Sequence, residues 1–303
     1  MSNNQYSLAN PKLLNEIESK KPYVDRFVRD CPDCFLDRRQ QLQLDSIKHS
    51  IEIELAGELT SRGIKKERKR CMENLLRANG WGHANYQDQI SESYIIEIGK
   101  RVEPNVNKWG YRESGVIITG SRAIPPGCEK IESEMNNFLF FLNCFDNPID
   151  KAVYSHFHIA RIHPFGDGNG RTARLVQNLY LNKNGFLPIT IDMDDRKEYL
   201  GLVSNAVLAH NDTITRFRDD ACSDYNKILR GIEKPSVTLK EISYYRDLGV
   251  RLISQNLSKS ERDFYDFLVI KLRDLFVQEF NQQSNKRLND CCRKEFRELT
   301  KEH

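Results

Sequence analysis

The sequence lacks any apolar run long enough to cross a membrane. Its densest apolar patch, residues 138–142, is followed at once by Asn143, whereas a spanning helix needs ~18 or more consecutive apolar residues. The first six residues also lack the basic and then apolar order of a secretion signal. We therefore expect no membrane partner and a cytoplasmic protein, or one that is delivered into a host cell.

Cysteine and an excess of one charge are scarce as well. Eight cysteines among 303 residues are too few for a disulfide scaffold, and Cys31 and Cys34 form a lone C-x-x-C pair without a second half. Lys plus Arg is 46 and Asp plus Glu is 43, which gives a net charge of +3. The pI of about 8.3 lies below the value above ~9 that is usual for nucleic-acid-binding domains, so we do not expect a nucleic-acid partner.

Helical periodicity is the dominant pattern that is present. Leu44, Ile47, Ile51 and Leu55 recur at steps of three and four residues. Similar spacing predicts helices over 131–142, 148–162, 170–184, 194–209, 213–228, 236–256, 259–281 and 286–300. Residues 115–124 differ, because β-branched side chains flank a Thr-Gly-Ser turn, and this pattern predicts a small β-hairpin. We expect a mainly α-helical fold that carries one hairpin.

A loop between two predicted helices concentrates residues that suit phosphate binding. It reads His163-Pro-Phe-Gly-Asp-Gly-Asn-Gly-Arg-Thr-Ala-Arg174. Gly168, Asn169 and Gly170 combine backbone freedom with the start of a helix, so their N–H groups can converge on an anion. Arg171 and Arg174 lie on nearly the same helix face. Two guanidinium groups beside such a nest indicate a polyphosphate ligand.

Two further residues of this loop suit catalysis. Asp167 offers a hard oxygen ligand, which suits a Mg²⁺ ion shared with phosphate oxygens. His163 is placed to accept a proton from an attacking hydroxyl when its imidazole is neutral. An alternative combines both residues with His156 and His158 in a transition-metal site, although positions two apart point to different helix faces.

The loop resembles the signature of the Fic domain family (filamentation induced by cyclic AMP), H-P-F-x-[DE]-G-N-G-R-x-x-R, at every specified position. The similarity covers about residues 105–220, including the predicted hairpin, which would be the flap of the family. The resemblance implies a Fic-fold helical bundle. It also implies transfer of AMP from ATP to Ser, Thr or Tyr hydroxyls of a target protein, with Mg²⁺ as cofactor.

The resemblance implies roles for single residues. His163 would be the general base, Asp167 the Mg²⁺ ligand and Arg174 the ligand of the γ-phosphate. The other ATP-binding residues would be Gly168, Asn169, Gly170, Arg171 and Tyr199, and the flap tip would comprise Thr119, Gly120 and Ser121. For Tyr199, a half-buried aromatic on its helix is the alternative, because Leu200 follows where family members have a tyrosine pair.

Gly170 bears on the choice among the reactions of this family. The related Doc-type kinases carry Lys at this place and transfer the γ-phosphate, so glycine favours AMP transfer. Hydrolytic removal of AMP, or transfer of another phosphate-linked group, is the alternative reaction at the same loop.

A carboxylate lies on the apolar stripe of an earlier predicted helix. Glu54 falls seven residues after Ile47, so it needs a partner or a position at the edge of the stripe from which it reaches water. Ser50 to Glu54 resembles the inhibitory motif [ST]-x-x-x-E-[GN] of Fic proteins, with Leu55 at the sixth position. The resemblance implies that Glu54 pairs with Arg174 and inhibits the enzyme.

We expect three regions and one competing class of function. The regions are an N-terminal helical part over 1–79 with the inhibitory helix at about 36–60, a Fic core over 80–222 and a C-terminal helical extension over 223–303. Self-modification and a homodimer are further expectations. The competing function is a nucleotide-sensing interaction module whose helices after Pro235 pair with a partner, but an intact base at His163 favours the enzyme.

Overall fold

A computed structural model of the chain describes residues 7–56, 61–118, 121–219, 248, 250–251 and 253–279. Helices with short connections make up most of this part. They are α1 (Pro11–Asp30), α2 (Pro32–Leu55), α3 (Ser61–Ala84), α4 (Glu92–Val102), α5 (Ile131–Leu142), α6 (Pro148–Ile162), α7 (Asn169–Lys183), α8 (Arg196–Asp219) and α9 (Lys259–Glu279), and a short 3₁₀ turn, Cys128–Lys130, precedes α5. The predicted mainly helical fold is confirmed.

The helix α8 differs from the sequence prediction. Two helices were expected over 194–209 and 213–228, but a single helix continues through this junction to Asp219. The junction contains neither glycine nor proline, so nothing in the backbone ends the helix there. The polar His210 has a partner on α9, the Glu261 carboxylate, at 2.7 Å. The helix predicted over 286–300 lies outside the described residues, as does most of the one over 236–256.

The predicted β-hairpin is not confirmed. Residues 115–118 and 121–127 are irregular rather than paired strands, and the expected tip residues Thr119 and Gly120 lie outside the described part of the chain. The Ser121 N–H donates to the Ile118 carbonyl at 3.1 Å. Pro125 and Pro126 have no backbone N–H, which removes two donors that a strand ladder would use.

The helices α6 and α7 form the centre of the core and carry the loop that connects them. Both are buried along most of their length, with Phe157 and Tyr180 among the most enclosed side chains. The loop itself is anchored by Phe165, whose ring packs against α4 at Gly99. A side chain at Gly99 would overlap that ring, so this glycine is what allows the close approach.

The helix α2 lies antiparallel to α7 and joins it through polar pairs. The Asn182 amide donates to the Gln43 side-chain oxygen at 2.5 Å, and the Asn178 amide donates to the Ser46 hydroxyl at 3.3 Å. These pairs fall one helical turn apart and lead along α2 toward Ser50. A buried polar group without a partner destabilises the fold, so these paired side chains favour one register of α2 on α7.

The terminal helices share the same hydrophobic core. One cluster of buried side chains runs from Leu8 to Phe276, and α9 packs on both α8 and α1. The division into three regions stays a prediction. In the described ranges, every helix is too short or too polar to cross a bilayer.

Candidate active site

The α6–α7 loop is shaped by two left-handed residues and one side-chain clamp. His163 ends α6 with φ 53° and ψ 55°, and Gly168 precedes α7 with φ 76°. The Asn169 amide clamps the turn between them, since its Oδ1 accepts from the Phe165 N–H and its Nδ2 donates to the Phe165 carbonyl, both at 2.9 Å. A non-glycine residue in the left-handed region is uncommon, and such positions concentrate at functional sites.

His163 has the protonation state that a general base requires. Its Nδ1 lies 3.2 Å from the Ala160 carbonyl, which can only accept a hydrogen bond, so Nδ1 carries the proton. Nε2 is therefore the nitrogen with the free lone pair. Burial lowers the pKa of His163, so the imidazole is neutral at neutral pH.

The first turn of α7 offers an anion site. The leading N–H groups of a helix have no acceptor within the helix, and the helix dipole places partial positive charge there. Asp167 stands beside this turn. Its Oδ1 accepts from the Gly168 N–H at 2.6 Å, its Oδ2 accepts from Arg171 at 3.2 Å, and its side chain is 56% exposed. An exposed carboxylate is an oxygen donor of the kind that Mg²⁺ prefers.

Arg171 is held by a buried carboxylate that sequence reasoning missed. Glu103, directly after α4, is 1% exposed and binds the Arg171 Nη1. The Arg70 guanidinium of α3 binds the same carboxylate from the other side, at 2.6 and 3.0 Å. The Cys71 sulfur accepts from Arg171 at 3.1 Å. Glu103 precedes Arg171 by 68 residues, and no pattern in the sequence connects the two.

Arg174 is bound by two polar residues in the last two turns of α2. Its Nη2 donates to Glu54 Oε1 at 2.6 Å and to the Ser50 carbonyl at 3.1 Å, while its Nε donates to the Ser50 hydroxyl at 2.8 Å. Burial alone would raise the pKa of the Glu54 carboxyl, but attraction to Arg174 outweighs it and keeps that pKa low. A side chain at Gly170 would collide with Glu54, so this glycine leaves the room for the carboxylate.

Tyr199 reaches Arg174 through its hydroxyl. The Tyr199 oxygen accepts from Arg174 Nη1 at 3.1 Å and therefore donates its proton to His156 Nε2 at 2.8 Å. His156 Nδ1 then donates to Gln177 at 2.6 Å, and burial lowers the pKa of His156 to about 3. Tyr199 is nearly fully buried. The structure thus places it against the arginine, and its predicted contact with adenosine stays a prediction.

The alternative metal site of the sequence analysis is not assembled. Both ring nitrogens of His156 are bonded to other side chains, and His158 Nδ1 accepts from Arg161 at 3.3 Å. Glu67, Cys71 and Glu103 do bring their ligand atoms close together in the described part of the chain. The guanidinium groups of Arg70 and Arg171 already neutralise that cluster.

Of the predicted flap tip, the described ranges include only Ser121. Its hydroxyl lies 2.8 Å from the Ser204 hydroxyl of α8 and accepts from the Ala123 N–H at 3.0 Å.

Taken together, these contacts define the candidate site. The structure brings the loop residues close to two residues of α2 and one of α8: His163, Asp167, Gly168, Asn169, Gly170, Arg171 and Arg174 lie with Ser50, Glu54 and Tyr199.

Comparison with known proteins identifies relatives of this loop and of the helices around it. Residues 89–181 match the model of the Fic/DOC family. The protein adenylyltransferase Fic of Nematostella vectensis is 38% identical over 126 residues, which are 39% of this chain and 29% of that protein. The protein of the same name from Aedes aegypti is 35% identical over 122 residues, 38% of this chain and 24% of that protein.

The similarity to these relatives is local, and the similarity to solved structures is broader. The chain spans between 24% and 29% of the length of the two curated relatives. A Fic family protein from Desulfovibrio desulfuricans G20 superimposes with a TM-score of 0.53 at 19% identity, over 90% of this chain and 75% of that one. A Fic domain containing signaling protein from Bacteroides thetaiotaomicron VPI-5482 gives 0.50 at 19% identity, over 86% and 97%. These structures share the fold.

Proposed function

We propose that this chain, whose residues 89–181 match the model of the Fic/DOC family, transfers AMP from ATP to Ser, Thr or Tyr hydroxyls of target proteins. The observation that carries the proposal is the state of His163. A neutral imidazole with its lone pair on Nε2 stands at one end of a phosphate-binding loop, and a simple nucleotide sensor has no use for such a base.

The proposed reaction is a displacement at the α-phosphorus of ATP. His163 Nε2 accepts the proton of the attacking hydroxyl while the new bond forms between its oxygen and the α-phosphorus. The bond from the α-phosphorus to the bridging oxygen breaks, and pyrophosphate leaves. The N–H groups at the start of α7, with Arg171 and Arg174, counter the negative charge of the phosphates.

The donor set fits a magnesium ion at Asp167. Asp167 is the exposed carboxylate beside the phosphate-binding turn, and Mg²⁺ is commonly held by one or two carboxylates together with substrate phosphates. When bound, the ion would neutralise phosphate charge and hold the phosphate chain in place. Arg171 shares the same carboxylate, which keeps the side chain beside the turn.

We further propose that Glu54 inhibits the resting enzyme. Its carboxylate occupies the guanidinium that the γ-phosphate would otherwise bind, and Ser50 binds the same arginine one turn earlier. The γ-phosphate of ATP then has no bond to Arg174, and the α-phosphate is poorly placed for attack. Support comes from the contact between Glu54 Oε1 and Arg174 Nη2, 2.6 Å, and from the low pKa of the Glu54 carboxyl, which keeps it charged beside Arg174.

Incubation of the full chain with Mg²⁺ and ATP labelled at the α- or the γ-phosphate tests the activity. AMP transfer requires that protein acquires label from the α-position and none from the γ-position. Label from the γ-position alone indicates a kinase. The Glu54→Gly variant is tested in parallel, because inhibition alone would silence the parent.

Removal of AMP from modified proteins is a second candidate for the same site. The observation that favours it is that Glu54 lies close enough to His163 for its charge to raise the pKa of that imidazole against the effect of burial. A carboxylate beside the base can orient a water molecule for attack. Release of AMP from an AMP-modified protein by the parent, and its loss in Glu54→Gly, would support this second reaction.

A further inference from the structure

Arg112 connects the base to both ends of the segment 114–126. Its Nε donates to the His163 carbonyl at 2.8 Å, its Nη1 to the Ser114 carbonyl at 2.8 Å and its Nη2 to the Pro126 carbonyl at 2.6 Å. Its own backbone N–H donates to the Pro164 carbonyl at 2.9 Å. The side chain is buried.

These contacts hold the segment 114–126 in place, because its described residues form no strand ladder. Ser114 and Pro126 lie at the two ends of the segment, the first exposed and the second half-buried. Main-chain pairing would usually hold two such ends together, and here one guanidinium does so. The same guanidinium binds the carbonyl of His163, whose left-handed backbone sets the direction of the imidazole.

We propose that Arg112 is a positioning residue that sets the segment 114–126 in register with the base His163. This inference rests on the proposed function, in which His163 accepts the proton of the attacking hydroxyl. Loss of the Arg112 side chain would free the segment 114–126 and the His163 imidazole to move relative to each other. Since three carbonyls are bound by three differently directed N–H groups, the role needs the planar fork of arginine and not only its charge.

The test compares Arg112→Ala and Arg112→Lys with the parent, all carrying Glu54→Gly so that transfer is measurable. Arg77→Ala is the matched control, because Arg77 is an exposed arginine on α3. The measurements are self-modification with α-labelled ATP over a range of ATP concentrations, ATP binding, and hydrogen exchange of residues 112–126. Thermal unfolding of each variant shows whether the chain still folds.

We expect both Arg112 variants to lose ~10- to 100-fold in kcat, the scale of a ~1 Å misplacement, while KM for ATP and ATP binding change less than about twofold. Hydrogen exchange should rise in 112–126 and not in α7. Lysine should not restore kcat, because one ammonium cannot reach all three carbonyls. The control should match the parent.

Two results would overturn the proposal. One is a normal kcat in Arg112→Ala, and the other is full rescue by lysine, which would reduce the role to charge. If the Glu54→Gly parent itself transfers no AMP, the proposed function fails instead. Hydrogen exchange still tests in that case whether Arg112 anchors the segment. Unchanged exchange of residues 112–126 in Arg112→Ala would refute the anchoring by itself.

Discussion

Replacing Glu54 with glycine removes the carboxylate from Arg174 and leaves the arginine to Ser50 and Tyr199. The guanidinium then keeps its bonds to the Ser50 hydroxyl and carbonyl and to the Tyr199 hydroxyl, so it stays in place without a carboxylate on Nη2. A misplaced α-phosphate lowers the rate by ~10²-fold, so freeing Arg174 to bind the γ-phosphate should raise the rate of AMP transfer by ~10- to 100-fold. The increase should appear as label from α-labelled ATP on the protein itself.

The stability of the Glu54→Gly variant should fall only modestly. A hydrogen bond to a charged group contributes ~1.5–3 kcal/mol, and glycine costs up to ~1 kcal/mol in a helix interior. Glu54 is the penultimate residue of α2 and is 39% exposed, so both losses lie toward the lower end. Thermal unfolding with and without ATP measures this loss.

Glu52→Gly is the matched control for the glycine in α2. Glu52 lies two residues earlier in the same helix, but it pairs with Arg68 on the surface, at 2.6 and 2.9 Å. The Glu52→Gly variant should lose similar helix stability without gaining activity.

Glu54→Gly combined with Arg174→Ala should fall back to low activity, because the arginine that would bind the γ-phosphate is then absent. A Glu54→Gly protein that folds, binds ATP as before and transfers no faster than the parent would refute inhibition through this pair.

Three further predictions concern the base, the metal ligand and the buried carboxylate. His163→Ala should lose at least ~10²-fold in the rate of AMP transfer while it still binds ATP. In the Glu54→Gly protein the acidic limb of the pH–rate profile should lie below the ordinary histidine pKa of 6.5, because burial lowers the pKa of His163 and the neutral form is active. An acidic limb above 6.5 would contradict this. Asp167→Asn should raise the Mg²⁺ concentration needed for half-maximal activity, whereas an unchanged Mg²⁺ titration would remove Asp167 from metal binding. Glu103→Ala should lower the free energy of unfolding by ~3–5 kcal/mol, because it leaves Arg70 and Arg171 without their shared buried partner, and denaturant unfolding showing less than about 1 kcal/mol would contradict that reading.

The sequence by itself predicted four of the helices and the residues of the loop. Apolar spacing predicted α5, α6, α7 and α9 close to their observed bounds, because a helix repeats its buried face every 3.6 residues. The loop from His163 to Arg174 was readable because its functional groups are contiguous, so local backbone geometry alone brings them together. Ser50 and Glu54 share a helix face for the same reason, being four residues apart.

Only the tertiary structure decided which distant side chains complete the site. The Glu103 carboxylate, directly after α4, binds both Arg171 and Arg70, and Arg112 reaches His163 across 51 residues of sequence. A periodic pattern states which face of a helix is buried, but it does not state what that face meets. The irregular segment 115–118 and 121–127 shows the same limit, since its ends are held by the side chain of Arg112 and not by its own β-branched residues. Contacts of this kind depend on how helices pack, and packing is set by the whole core rather than by any local stretch of sequence.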